Sequence, residues 1–178
     1  MEPIKFYGST FLVIEESFRT LSADTKSGTQ SMNNFSPSQA FAEFFFFAID
    51  HGFASVEDGG GPLIPFTMLV DSAGQKKLTR FAMDKLEDGV QAAKNSVTPT
   101  GAIAMYAIAW DGFITIEGRK WDAICVEAGE AQTEFGVLLC QRYTAEKKGL
   151  LRKTRSVRVG NPALIERLPS RLWVGSGL

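Results

Sequence analysis

Histidine is almost absent from this chain: its 178 residues contain one, His51, beside two cysteines, Cys125 and Cys140. Any Ser-His or Cys-His mechanism must therefore run through His51. A zinc site would have to recruit carboxylates, so no metal and no cofactor is expected. Both cysteines lie in apolar runs, which predicts buried thiols in place of the disulfide framework of a small secreted domain. No apolar stretch approaches the roughly 20 residues that span a bilayer. Nor do the opening residues show a cationic segment leading into a long apolar one, so the chain is expected to be soluble and cytoplasmic, with no membrane partner. The glycines at 59–61 are followed by Pro62, without the Lys-Ser/Thr and helix of a phosphate-binding loop, and read as a connector. Strong net charge is missing too. A formal charge of −1 and a pI of about 5.9 do not give the basic footprint of a dedicated nucleic-acid binder. Internal repeats and low-complexity tracts are absent.

What is present fits one domain over residues 1–178, because a chain of this length buries about 70% of its unfolded surface without metal or disulfide staples. Residues 10–21 repeat apolar side chains at Phe11, Ile14, Phe18 and Leu21 with helical spacing, although Val13 and Ile14 leave a strand open. The polar, aperiodic stretch 22–36 predicts a mobile loop. A helix over 37–51 is the best-marked element: Ser36 is placed to cap it, Pro37 to fill its first position, Gln39 to complete a capping box and Gly52 to end it. Its circumference carries one narrow polar stripe, Gln39, Glu43 and Asp50, with Phe46 at the edge. Phe41, Phe44, Phe45, Phe47 and Ile49 spread over the remainder. That arc exceeds the roughly 100° one neighbour covers, so Phe44, Phe45, Phe46 and Phe47 become the expected interface of a homo-oligomer.

Downstream, the segments 63–70 and 76–82 predict a hairpin turning at Gly74. Residues 84–97 predict a second helix, started by Asp84 and Glu87, with Leu86, Val90, Ala93 and Val97 as its buried stripe. From 101 to 143 the period changes to two, giving an antiparallel meander with a turn or bulge at Asp111-Gly112 and a turn at Glu117-Gly118. Residues 147–178 form a basic extension, with an edge strand at 156–159 and a short helix at 161–168. The expected class is α+β, an antiparallel sheet (hairpin 63–82 plus meander 101–143) with helices 37–51 and 84–97 packed on one face.

Few side chains offer chemistry. Asp122 and Glu127 have odd spacing and project from opposite faces of one strand. If opposed residues of 121–143 sum to 264, Asp122 faces Arg142, and the guanidinium gains the geometry to grip a carboxylate or phosphate. If the sum is 263 or 265, Cys125 and Cys140 share a face instead. Pairing of opposite charges favours 264. Glu127, if turned inward, needs a partner or a raised pKa and becomes a candidate general base. Glu130 and Glu134 stand near enough in sequence to join it around a hard cation, but no calcium- or nuclease-type spacing is present. His51, at a helix end, would be favoured in its protonated form.

The segment 147–158 gathers Lys147, Lys148, Arg152, Lys153, Arg155 and Arg158, and Tyr143 precedes it. This makes nucleic-acid association a third reading. The charge is asymmetric: residues 1–89 carry 7 Lys+Arg against 12 Asp+Glu, and 90–178 carry 12 against 8. Mutual attraction within the domain accounts for such a split without an external partner. The function expected first is a non-catalytic binding or assembly module that self-associates through apolar surface, its protein or small-molecule partner unidentified. Second comes a small hydrolase or ligand-binding enzyme using Glu127, Asp122, Arg142 and His51.

Overall fold

The computed structural model describes residues 37–57, 61–148 and 153–174. The expectations for 10–21, for the loop 22–36, for a cap at Ser36 and for Arg152 lie outside the described residues. From Pro37 onward the chain forms one compact unit. It contains helices α1 (Gln39–Glu57) and α2 (Leu86–Ser96) and strands β1 (Phe66–Asp71), β2 (Lys76–Arg80), β3 (Ile103–Ile116), β4 (Arg119–Glu130), β5 (Phe135–Lys148), β6 (Lys153–Arg158) and β7 (Ala163–Pro169). All pairings are antiparallel, in the order β2-β1-β3-β4-β5-β6, with β7 also on β5. The α+β class is as the sequence predicts.

The turns follow local chemistry. Asp71 Oδ1 accepts hydrogen bonds from the N–H of Ala73 (2.9 Å) and Gln75 (2.8 Å), closing the β1–β2 hairpin at Gly74. Glu117 and Gly118 both have positive φ, 51° and 75°, the two-residue turn whose twist matches a hairpin. Asp111-Gly112 is no turn at all: β3 runs straight through it, paired with Ile124 and Ala123.

The 14-residue β5 serves two neighbours in succession. β7 pairs with Phe135–Cys140 and β6 with Tyr143–Lys148. At the junction the buried Gln141 Nε2 donates to the carbonyls of Arg142 (3.0 Å) and Gly160 (3.1 Å), satisfying backbone that the break between β6 and β7 would strand. The expected edge strand is therefore real and longer than 156–159. The expected helix at 161–168 is strand β7, because the unpaired edge of β5 offers its backbone a ladder that outweighs a helix-start signal.

The helices take opposite faces of the sheet, not one. On the first face, α1 lies so close that a Cβ on Gly52 would stand 2.9 Å from Ile124 Cγ2. Gly52 consequently does not end the helix, which continues to Glu57. On the second face, Ala93 and Val97 of the α2 region cluster with Tyr106, Ile108 and Leu172. The physical reason stands in β3 itself. Ala102 to Trp110 is one unbroken apolar run, and a strand buried on both faces loses the alternation that a half-exposed strand keeps.

α1 is capped by Ser38, whose Oγ accepts the Phe41 N–H at 3.0 Å and donates to Glu130 Oε2 at 2.7 Å. The Ser38 N–H bonds Glu130 Oε1, so the carboxylate sits where the helix dipole favours it. Of the four consecutive phenylalanines, Phe44 and Phe45 belong to the core, Phe46 is half-buried and Phe47 is 40% exposed beneath Lys76 Nζ, 4.6 Å from its ring centre. The buried residues of α1 cover about half its circumference at 100° per residue. The wide apolar arc is thus largely absorbed by the domain's own core. α2 starts at Leu86, two residues later than Asp84 suggests, and its cap Lys85 makes no side-chain capping bond. Among the described residues no helix is long and apolar enough to cross a membrane.

Candidate functional site

The β4–β5 register decides which side chains meet. Asp122 opposes Tyr143, Ala123 opposes Arg142 and Cys125 opposes Cys140, so opposed residues sum to 265. The expected Asp122–Arg142 pair does not exist: Asp122 lies on the first face and Arg142 on the second. Cys125 and Cys140 are not free thiols but a cross-strand disulfide, with Cα atoms 4.2 Å apart. Two burial demands outweigh one exposed ion pair here, since Ala123 and Cys140 must face the same apolar cluster as Ile114.

Glu127 points inward on the second face, its side chain 3% exposed. It has the partners such burial requires. Arg171, from the segment after β7, grips it through Nε to Oε1 and through a terminal nitrogen to Oε2 at 3.4 Å. Lys94 Nζ, in the last turn of α2, stands 3.8 Å from Oε2. Arg171 also donates to the Lys94 carbonyl (3.3 Å), and its N–H bonds the Tyr106 hydroxyl oxygen at 3.2 Å. Burial, joined by the Glu127 charge, pushes the Tyr106 hydroxyl up to about 12, although the bond from Arg171 opposes the rise. The carboxylate thus ties α2, the sheet and the C-terminal segment together. These three charge-assisted contacts fix the carboxylate in place within the fold.

A second polar cluster forms on the first face around Asp111 and Tyr143, which the sequence marks only as a turn or bulge residue and as an aromatic beside the basic segment. The Tyr143 hydroxyl lies 2.9 and 3.0 Å from the two carboxylate oxygens of Asp111, and the Leu63 N–H reaches Oδ2 at 3.4 Å. Burial raises the Asp111 carboxyl above its ordinary range, against the stabilising bond from Tyr143, and nearby Asp122 adds to the rise. Burial and the Asp111 charge raise Tyr143 as well. Tyr143 packs edge-on against Phe53 at 6.4 Å, so its ring is not presented to a nucleic-acid base.

His51 lies inside α1, its ring edge-on to Phe66 at 5.2 Å and its Nε2 3.4 Å from an Arg80 terminal nitrogen. Burial and the Arg80 charge lower its pKa below the usual 6.5, reversing the expectation that a helix end would favour the protonated form. Protonation therefore costs more in the folded than in the unfolded state. Stability present above pH 6.5 should decline as pH falls through the window beneath it. As the chain's single histidine, His51 gives one unambiguous proton NMR signal. Its titration midpoint is expected below 6.5, and a midpoint above that value would contradict the burial argument.

Two cations of the basic segment are paired with α1. Arg158 pairs with Asp50 at 2.7 Å and lies over the Phe53 ring at 4.4 Å, and Arg155 pairs with Glu57. These contacts join acidic α1 to basic β6, so the charge asymmetry along the chain is partly cancelled within the fold. Between them opens a groove of about 480 Å³ lined by Phe53, Glu57, Glu146 and residues 155–158. Lys147 is exposed, and Lys148 and Lys153 pair in the β5–β6 ladder.

Glu127, Asp122, Arg142 and His51 do not converge. Glu127 and Arg142 share a face but stand four residues apart along the β4–β5 ladder, roughly 13 Å at strand rise. Asp122 is on the other face, and His51 is on α1. Among the described residues no group of three or more His, Cys, Asp or Glu side chains could hold a metal ion. No known family model, curated protein or solved structure matches the chain.

Among the described residues, one part of the second face has no helix over it. Beyond Tyr106 and Ile108 the second face continues as a cluster of Ile114, Ala123, Cys125 and Cys140, with Trp110, Ile116, Trp121 and Leu138 half-buried around it. Among the described residues neither helix packs there: α2 meets β1 and β3 at Tyr106 and Ile108, and α1 is on the opposite face. Cations cover it instead. Arg119 lies 3.8 Å and Arg142 5.4 Å from the Trp121 ring centre.

Proposed function

We propose that the domain is a non-catalytic binding or assembly module, and that it self-associates through the open half of the second face, around Trp121, in preference to the phenylalanine helix. The observation that carries this reading is the dispersal of the titratable side chains. Glu127 is locked by Arg171 and Lys94, Asp111 is bonded to Tyr143, and Asp50 and Glu57 are paired with Arg158 and Arg155. Each of these carboxylates is engaged by a partner within the fold. Phe44 and Phe45, consumed by the core, leave only Phe46 and Phe47 on α1 for a partner. The half-face around Trp121 gathers four half-buried apolar side chains, Trp110, Ile116, Trp121 and Leu138, with Arg119 and Arg142 at its rim. The disulfide favours an oxidising compartment over the cytoplasm expected from the sequence. Light scattering on the eluting protein tests the proposal. The mass should rise from 19.5 kDa toward twice that value with concentration, and a mass fixed at 19.5 kDa throughout would end the self-association reading.

A further inference from the structure

We propose that Arg142 anchors an oxyanion-binding site at the rim of this half-face, taking a carboxylate or phosphate group carried on an apolar body. The site goes beyond self-association and does not depend on it. Arg155, Arg158 and Arg171 each hold a carboxylate. Arg142 holds none: among the described residues no salt bridge or side-chain hydrogen bond reaches its guanidinium, and its buried Nε has no acceptor. A half-buried cation with an unanswered buried N–H is an unusual state for a side chain to be kept in. The surroundings nonetheless hold it in place. The guanidinium lies 5.4 Å from the Trp121 ring centre, while Arg119 stacks on that ring at 3.8 Å. On its other flank is Gly160, at φ +63°, where a Cβ would fall 2.8 Å from an Arg142 terminal nitrogen. Only a residue without a side chain leaves the guanidinium this position.

Two guanidinium groups lie against one indole, and an anion beside them gains from both charges. The terminal nitrogens of Arg142 present parallel donors suited to the two oxygens of a carboxylate or phosphate. Arg119 contributes a second charge. Trp121, Ile116 and Leu138 provide apolar surface for the rest of the ligand. Asp122, the acid nearest in the ladder, is on the other face and cannot occupy the site.

Sodium benzoate tests the proposal when titrated into dilute full-length protein and followed through the Arg142 Nε–H and Trp121 indole N–H resonances. Inorganic phosphate forms a second arm, and benzamide is the uncharged control. Benzoate or phosphate is expected to give a saturable shift at these two residues, and whichever anion saturates identifies the source of the oxyanion. Arg142→Gln should weaken it by about tenfold or more. Arg142→Lys, which keeps the charge without the fork, should fall between, and its retained fold guards against an effect of misfolding. The proposal is overturned if neither anion saturates, if Arg142→Gln binds as the wild type does, or if benzamide binds as well as benzoate. Each of these results leaves the light-scattering outcome untouched.

Discussion

Arg171→Ala is expected to cost about 3–5 kcal/mol of stability, the usual penalty for stripping the partner from a buried charge. Glu127 is nearly fully enclosed, its side chain 3% exposed, and Arg171 is its directional partner. Lys94 alone, at 3.8 Å, is a longer and non-directional contact. For a domain of this size the loss corresponds to roughly 6–20 °C in Tm. The double variant Glu127→Leu/Arg171→Met should recover most of it, because a buried ion pair replaced by apolar side chains of similar volume is often neutral. Urea or thermal unfolding of the three proteins measures both effects. An Arg171→Ala loss within about 0.5 kcal/mol, the range of an ordinary surface change, would show that the pair does not hold the C-terminal segment to the sheet.

Reducing the Cys125–Cys140 disulfide is expected to cost about 3 kcal/mol, the value for a cross-link closing a loop of about 15 residues. In Tm this is roughly 6–12 °C. The cross-link acts on the unfolded chain, since β4 and β5 are already paired by their backbone ladder in the fold. Thermal unfolding with and without dithiothreitol gives the difference. A thiol count on the unreduced, denatured protein gives the state directly. No reactive thiol is expected, and two reactive thiols with a reduction-insensitive Tm would restore the free cysteines expected from sequence.

The legible part of the fold is the part written in local pattern. The hairpin at Gly74, the Glu117-Gly118 turn and both helices follow from capping, turn and periodicity signals that act over a few residues. The placement of α1 and α2 on opposite faces was also written there, in the loss of alternation from Ala102 to Trp110, but that run serves equally as a simple long strand. Where non-local pairing decides, sequence pattern misleads. Asn161-Pro162 signals a helix start, yet the open edge of β5, whose Cys140 pairs with Ala163 and Phe135 with Pro169, makes 163–169 a strand. The Asp122–Arg142 pairing looks favourable as an ion pair, yet a shift of one residue buries the cysteines together and separates the charges.

The candidate site shows the same division. Glu127 stands out in the sequence as a carboxylate inside an apolar strand, and the need for a partner follows from that alone. The identity of the partner does not: Arg171 lies 44 residues away in a segment with no pattern pointing back to β4. Asp111 was hidden by its neighbour Gly112, which made the pair look like a turn. Tyr143 drew notice only as an aromatic beside basic residues, while its hydroxyl is bound to Asp111.

Whether the open half-face or the phenylalanine helix meets a second copy is most directly decided by light scattering on two variants, Trp121→Asp and Phe47→Asp, beside the wild type. The account predicts that Trp121→Asp stays at 19.5 kDa at every concentration while Phe47→Asp associates as the wild type does. The opposite pattern, with Phe47→Asp monomeric and Trp121→Asp unaffected, would return the interface to α1 and contradict it.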